Sequence, residues 1–196
     1  MKHNRTLIGL LAALVLTAVG CGSTGSGNIV SEVREVGSFE RIEVSNGLAV
    51  DITVDPAAPR GLTSVYDDNL QDKILTEVKG DTLVIEVQGN VVAPGSGRVV
   101  EVAMPVLIGL LADGGASVHG VGAADELDLR TEGGAAVDLE DMVVQTVDVA
   151  MDGGSTANVN PSLKVTGRVT GGATLRLTNS QTFRDLDVSG GGNVSG

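Results

Sequence analysis

Residues 113–137 read DGGASVHGVGAADELDLRTEGGAAV, and this stretch contains the repeat that decides the fold. Paired glycines occur five times in the second half of the chain, at spacings of 19, 20, 18 and 19 residues. Apolar residues recur at fixed positions around each pair, with polar residues between them, which is the pattern of strands with one buried face. The pairs begin at Gly114, Gly133, Gly153, Gly171 and Gly190, and the apolar residues four positions later are Val118, Val137, Ala157, Leu175 and Val194. The positions six and two before each first glycine, and six after it, are also expected to face inward; in the fifth unit these are Arg184, Val188 and Gly196.

A period of about 19 residues restricts the architecture. It is too short for the blades of WD40 or kelch propellers, and the leucine and asparagine pattern of leucine-rich repeats is absent. The sequence therefore predicts an all-β fold: a β-solenoid (β-helix-like) with about five 19-residue Gly-Gly coils in the C-terminal half and further β-strands in the N-terminal half. Stacked strands lie about 4.8 Å apart, so five coils would form a rod on the order of 24 Å long.

The glycine pairs are expected at the corners of these coils. Glycine adopts positive φ without a steric penalty, and without a Cβ it allows close stacking of backbones. On this interpretation Gly153→Val should unfold the repeats or sharply lower their melting temperature. Small residues follow the pairs, as expected where space is tight: Ala116-Ser117, Ala135-Ala136, Ser155-Thr156 and Ala173-Thr174.

The N-terminal half of the chain is also strand-like. Residues 50–54 (VDITV) and 83–87 (LVIEV) alternate between apolar and polar residues. Asn46-Gly47 and Lys79-Gly80-Asp81 are turn signals. These patterns leave open whether residues 29–107 continue the same coils or form a separately packed sheet.

Residues 1–20 have the order of a secretory signal peptide, with Lys2 and Arg5 preceding an apolar run over 7–19. The residues Ala18-Val19-Gly20-Cys21 resemble the lipobox of bacterial lipoproteins, although leucine is usual where Ala18 stands. The resemblance implies cleavage before Cys21 and acylation of its thiol and new amine. An ordinary cleaved signal peptide is the alternative. The expected organisation is a signal peptide over 1–20, a flexible Gly/Ser linker over 21–28 and a single β-solenoid-like domain over 29–196.

Four motifs in order along the chain resemble the bacterial head GIN domain, also known as putative auto-transporter adhesin, from about residue 36 to the end of the sequence. This resemblance implies a β-helix-like fold and placement in the cell envelope, and the family offers no established catalytic residues to transfer. The motifs are Phe39-Glu40-Arg41-Ile42, Asn46-Gly47, Met104-Pro105-Val106-Leu107 and Gly114-Gly115-Ala116-Ser117-Val118.

The residue content argues against several functions. A net charge of −12 makes the domain a poor ligand for nucleic acid. Cys21 is the only cysteine, so it has no intramolecular disulfide partner, and His119 is the only histidine after residue 20. Ser117 and His119 lie two positions apart on one strand face, but acyl transfer also needs an orienting acid in contact with them. We therefore expect no catalytic residues, no cofactor and no metal site, and lipidation at Cys21.

An acidic residue precedes three of the glycine pairs: Asp113, Glu132 and Asp152. Stacked coils would bring these carboxylates into a ladder, which is conceivable for Ca²⁺ or for a polysaccharide-cleaving carboxylate pair. The simpler interpretation is that they are turn residues in solvent, because Thr170 and Ser189 occupy the next two equivalent positions.

The sequence thus favours a lipid-anchored, non-catalytic envelope protein, in the outer membrane if the cell has two membranes. Its expected partners are the membrane, through the acylated Cys21, and a carbohydrate or another envelope protein. The alternative is a structural module that forms homo-oligomers through the solenoid ends, because an uncovered end invites pairing with another chain. A polysaccharide-degrading β-helix enzyme is the least favoured option.

Overall fold

The computed structural model describes residues 22–92, 96–179 and 182–196, and these residues form an all-β fold, as predicted. The helical content of this part of the chain is the 3₁₀ turn Gln71–Lys73. The strands are β1 (Ser23–Thr24), β2 (Ile29–Arg34), β3 (Arg41–Val44), β4 (Ala49–Val54), β5 (Gly61–Asp67), β6 (Ile74–Lys79), β7 (Thr82–Val87), β8 (Val91–Val92), β9 (Val99–Met104), β10 (Gly109–Ala112), β11 (Ser117–Thr131), β12 (Ala136–Met151), β13 (Thr156–Val169), β14 (Thr174–Leu177), β15 (Phe183–Val188) and β16 (Asn193–Ser195).

The five glycine units lie side by side in parallel register. The residue three positions after the first glycine of each unit pairs with its equivalent in the next unit. Strands β11 and β12 each run past a bulge into the apolar stretch before the next glycine pair, where parallel pairing continues with the register shifted by one or two residues. The paired residues are Ser117, Ala136, Thr156, Thr174 and Asn193.

The glycine pairs form tight turns, as the sequence predicted. Gly114 and Gly115 have φ angles of 59° and 84°. The amide of Ala116 donates to the carbonyl of Asp113 at 3.1 Å, which closes the turn. Positive φ at both central residues is the geometry of a type I′ turn, for which glycine is the favoured residue. The fourth and fifth pairs share it, whereas in the second and third pairs only Gly133 and Gly153 have positive φ. The first small residue after each of the first four pairs is buried: Ala116, Ala135, Ser155 and Ala173.

The parallel stack continues into the N-terminal half, which answers the question that the sequence left open. Strands β3 and β4 pair with β10 and β11, so Ala49 is in register with Ser117. Asn46-Gly47 therefore occupies the position of a glycine pair. Asn46 has φ 61° and Gly47 has φ 76°, and asparagine is the non-glycine residue that best tolerates this conformation. This sixth unit has no Gly-Gly pair, which hides it from a search for such pairs.

Antiparallel strands close the N-terminal end of the stack. Strands β7 and β9 pair in parallel with β3 and β4 and form the last parallel layer. On their outer sides β6 pairs with β7, β5 pairs with β9, and β2 pairs with β5, all antiparallel. The Lys79–Thr82 pairing around Gly80-Asp81 confirms the predicted turn. At the opposite end, β16 pairs with β14 and β15 pairs with β13.

The core consists mostly of Val, Leu, Ile, Ala and Met side chains from successive layers. The predicted inward positions are buried in the second, third and fourth glycine units. In the fifth unit the prediction is wrong, because Arg184, Val188 and Gly196 are exposed. Within the described residues, β15 pairs only with β13 and β16 pairs only with β14. No following layer of strands there covers the side chains of this unit.

Residues 22–28, for which the sequence predicted flexible coil, lie against the domain. Strand β1 pairs with β8, and the amide of Gly25 donates to the carbonyl of Val92 at 2.9 Å. Backbone pairing overrides the flexibility that Gly and Ser would otherwise confer on this segment. Cys21 and the signal peptide lie outside the described residues. No helix within the described part of the chain is long and apolar enough to cross a membrane.

Candidate functional site

An open apolar groove lies beside the bulges of β11 and β12, one strand segment after the glycine turns. Its volume is about 590 Å³, which is within the range of ligand pockets. The loops after β4 and β9 form one wall, because the amide of Asp55 donates to the carbonyl of Met104 at 3.0 Å and holds the two loops together. The other wall comes from the bulged corners of β11 and β12. The lining residues are Pro56, Pro105, Val106, Leu107, Ile108, Ala123, Ala124, Asp125, Glu126, Val143 and Gln145.

The groove combines an apolar floor with an acidic edge. Val106 and Val143 are 44% and 46% exposed, although valine is a residue that usually avoids solvent. Ala123 is in register with Val143, and its small side chain leaves space beside it. At the edge, the side-chain amide of Gln145 donates a hydrogen bond to the carboxylate of Asp125, which fixes the orientation of this carboxylate. The arrangement can bury apolar groups while it attracts a neighbouring cation.

Exposed apolar side chains continue along the same corner toward the C-terminal end. Leu163 is 60% exposed and Phe183 is 62% exposed. Phe183 is in register with Lys164, and the Lys164 ammonium lies 5.8 Å from the centroid of the Phe183 ring. Aromatic residues with exposed faces are enriched where proteins bind partners. The apolar character of this corner therefore extends beyond the groove.

The predicted row of acids serves the turns. The carboxylate of Asp152 accepts the backbone N–H of Gly153 at 2.7 Å, and that of Asp113 accepts the N–H of Gly114. Asp113 and Asp152 thus each satisfy the amide that begins their own turn, which is the local role expected of Asp beside Gly. Within the described ranges, no group of three or more His, Cys, Asp or Glu side chains is placed to hold a metal ion.

Ser117 and His119 lie on one outward face of β11, as predicted, and both are exposed. His119 is in register with Asp51 on one side and Asp138 on the other. A charged or polar row of this kind is ordinary for the solvent face of a sheet, because alternate residues of each strand point outward.

A buried ion pair at the base of the docked N-terminal segment is the feature that the sequence analysis missed. Asp67 is fully buried and pairs with Arg98, whose Nη2 lies 2.9 Å from Oδ1 of the carboxylate. The hydrogen bonds from Arg98 lower the pKa of Asp67 to about 2; burial opposes this shift, and the N–H of Gly27 adds to it. The sequence signal for this pair is weak, because Asp67 is followed by Asp68, and two adjacent acids suggest an exposed turn.

Three solved structures of bacterial proteins are similar to this chain, and the first of them supports the fold. A putative adhesin from Bacteroides fragilis matches with a TM-score of 0.56 at 16% identity, over 89% of this chain and 99% of that chain. A putative lipid binding protein from Parabacteroides distasonis matches with a TM-score of 0.43 at 13% identity, over 88% and 98% of the chains. A putative adhesin from Parabacteroides merdae matches with a TM-score of 0.44 at 13% identity, over 89% and 98%. No curated protein matches the chain.

The family comparison concerns the repeats themselves. Residues 108–181, which include four of the five glycine pairs, match the family model described as putative auto-transporter adhesin, head GIN domain. This match confirms the resemblance over residues 108–181. That part of the chain is similar to the head GIN domain family of putative auto-transporter adhesins.

Proposed function

We propose that this chain is a lipid-anchored, non-catalytic protein of the bacterial cell envelope, and that its domain is a β-solenoid that mediates adhesion through the groove. The single observation that carries the proposal is the groove itself, in which exposed Val106 and Val143 lie beside the acidic Asp125 and Glu126. An exposed apolar surface with a polar rim is typical of interaction sites on soluble domains.

The solenoid interpretation is supported by the pairing of the units. Each glycine unit pairs in parallel with the next at an offset of 18 to 20 residues, and the Asn46-Gly47 unit pairs with the first at the same corner. A coil of this length cannot cover its own apolar face, so neighbouring coils must share one core. The stack presents long, regular corners, and the groove and the exposed Leu163 and Phe183 lie along one of them.

The chemistry of the groove favours a polypeptide partner over a carbohydrate. Its lining is aliphatic and contains no aromatic ring that could stack on a sugar. A partner segment with apolar side chains next to Lys or Arg would bury the former against Val106 and Val143 and pair the latter with Asp125 or Glu126. Binding to glycans rather than to proteins in the experiment below would support the carbohydrate alternative.

Binding of the purified full-length lipoprotein to a panel of extracellular-matrix and envelope proteins, run in parallel with a glycan array, tests this proposal. The Val143→Asp variant places a charge in the groove at an exposed position and should reduce binding at least tenfold. Leu75→Asp is the matched control, because Leu75 is an exposed residue of β6 outside the groove and its replacement should leave binding unchanged. No binding in either panel would refute adhesion, and equal binding by Val143→Asp and the wild type would refute the groove.

The proposed anchor is Cys21, on the basis of the signal-peptide order and the lipobox-like residues before it. Two or more acyl chains hold a protein stably at a membrane, whereas one chain anchors only marginally. Mass spectrometry of the protein from its native host should find residue 21 at the N-terminus and carrying acyl chains. An uncleaved chain with a free thiol would overturn the lipid anchor. The position after Cys21 is Gly22 rather than Asp, which favours the outer membrane where the cell has two.

A second candidate function is assembly through the C-terminal end of the stack. The observation that favours it is the exposure of Phe183 and Val188 on β15, next to strand edges that pair on one side within the described residues. Unpaired edges are templates for another chain. Light scattering on the detergent-solubilised lipoprotein should then report a dimer, and replacing Val188 with Lys should return it to a monomer.

A further inference from the structure

The segment that follows Cys21 is held to the domain by a dense set of hydrogen bonds. Ser26 donates from its hydroxyl to the Asp68 carboxylate at 2.6 Å and from its amide to Asn69 Oδ1 at 2.9 Å. The side chain of Asn69 donates in turn to the carbonyl of Thr24 at 2.9 Å. Asn28 adds a hydrogen bond from its side chain to Asp68 at 2.9 Å. We name residues 23–28 the strap.

The buried Asp67–Arg98 pair is the attachment point of the strap. Oδ1 of Asp67 accepts the amide of Gly27 at 2.6 Å as well as Nη2 of Arg98 at 2.9 Å. Gly25 lies directly over this carboxylate, because a Cβ at that position would come within 2.6 Å of Oδ1. Hydrogen bonds to a charged, buried acceptor are about twice as strong as neutral ones. The strap is therefore fixed where it meets the domain.

The strap sets how far residue 21 can lie from the domain. The amide of Ser23 donates to the carbonyl of Asn90 at 2.9 Å, so only Gly22 separates Cys21 from a residue bound to the domain. Two residues span at most about 7 Å, whereas a free linker over residues 22–28 would reach about 25 Å. An anchor at position 21 would then hold the domain against its membrane.

The surface around the strap exposes aliphatic side chains. Val92 of β8, which pairs with Thr24, is 51% exposed. Ile29 and Val33 are also exposed and lie on the same face of β2, because side chains alternate along a strand. The far end of the stack lies five parallel steps from β4, on the order of 24 Å at the usual strand spacing.

We propose that the face formed by the strap, β8 and the start of β2 is the membrane-contacting surface of the domain, and that the strap holds it there. This inference rests on the proposed lipid anchor at Cys21. The occupant is the lipid surface itself: exposed Val92 and Ile29 contact the headgroup region, while β15 and β16 are held away from it. The acidity of the chain favours contact with zwitterionic rather than anionic lipid.

Tryptophan fluorescence tests this orientation, because the chain contains no Trp of its own. The full-length lipoprotein is expressed with its own signal peptide and reconstituted into phosphatidylcholine vesicles that contain a dansyl-labelled lipid as energy acceptor. Val92→Trp is the probe near the strap, and Phe183→Trp is the matched probe at the far end, where the native residue is also exposed. We expect energy transfer at least threefold more efficient from Val92→Trp than from Phe183→Trp.

The two possible failures are distinguishable. Protein that does not float with the vesicles has no functional anchor, which refutes the proposed lipidation. Protein that floats but gives equal energy transfer from both probes has an anchor without a fixed orientation, which refutes the inference drawn here.

The role of the strap is tested by Gly25→Ala in the Val92→Trp protein. The added methyl group clashes with the buried Asp67 carboxylate, so the strap should lift and energy transfer should fall toward the Phe183→Trp value. Gly37→Ala is the control, because a Cβ there meets nothing within 4 Å.

Hydrogen exchange on the otherwise unmodified lipoprotein gives a measurement that does not depend on the fold of a variant: the Gly27 amide should be protected. Exchange of this amide at the free-chain rate, or unchanged energy transfer in a folded Gly25→Ala protein, would overturn the role of the strap.

Discussion

Replacing Gly153 with alanine should destabilise the repeats strongly, because two independent constraints act on this corner glycine. Gly153 has φ 72°, a conformation that L-residues rarely adopt. A Cβ at this position would come within 2.5 Å of the carbonyl oxygen and 3.0 Å of the amide nitrogen of Gly133 in the preceding unit. The carbonyl of Gly133 accepts the amide of Gly154 at 2.8 Å, so it cannot move aside without weakening this hydrogen bond.

The magnitude follows from these two terms. A left-handed conformation costs an L-residue about 1–2 kcal/mol, and overpacking against fixed atoms costs about 1–3 kcal/mol more. The free energy of unfolding should therefore fall by about 2–5 kcal/mol. For a domain of this size each kcal/mol changes the melting temperature by about 2–4 °C, which predicts a decrease of roughly 4–20 °C.

Gly134 supplies a matched control in the neighbouring unit. Its φ lies outside the left-handed region, and a Cβ there would meet nothing within 4 Å. Gly134→Ala should leave the native state intact and reduce the entropy of the unfolded chain, which stabilises by about 0.4–1 kcal/mol. Thermal unfolding of both variants, followed by circular dichroism under identical conditions, makes the comparison. A Gly153→Ala protein that melts within a degree of wild type, or a Gly134→Ala protein that loses as much stability, would refute the reasoning.

Three further predictions concern the buried polar pairs and the groove. Ser155→Ala should destabilise by about 1–3 kcal/mol in denaturant titration because it leaves the buried Thr131 hydroxyl without its 2.8 Å partner, whereas adding Thr131→Val should restore most of the loss. The pKa of Asp67 is about 2 in the folded state against an ordinary 3.8. The contribution of this carboxylate to stability is therefore complete above pH 4 and is lost as the pH falls toward 2. Asp67→Asn should remove this part of the pH dependence, as measured by melting temperature between about pH 2 and 5. Val143→Asp should leave the melting temperature within about 1 °C of wild type while it abolishes adhesion, because the side chain is already half exposed.

The sequence predicted the all-β class, the alignment of the glycine units and the tight space beside the glycine pairs. These features follow from local rules: a positive φ requires glycine, and alternation assigns each strand residue to one face. The same rules failed at two places. The Asn46-Gly47 unit has no second glycine, and at Arg184 and Val188 alternation continues where there is no covering layer within the described residues.

The strap shows why composition can mislead about a linker. Residues 22–28 consist almost entirely of Gly, Ser, Thr and Asn, which predicts flexible coil. The segment is nevertheless docked, because Asp67 and Asn69, which lie 40 and 43 positions after their partners, supply acceptors for its amides. Small residues are also what such a docked segment needs, since Gly25 passes directly over a carboxylate.

The sequence by itself thus determined the repeat, the strand alternation and the glycine turns, because each depends on residues within about one unit of one another. The candidate anchor at Cys21 is likewise a matter of local sequence. Only the tertiary structure decided where the groove lies, which loops meet across Pro56 and Pro105, and how the Asp67–Arg98 pair fixes the strap. These contacts join residues 30 to 50 positions apart, and outward-facing side chains carry no periodic signal of their partners. Their positions depend on the order in which whole strands stack.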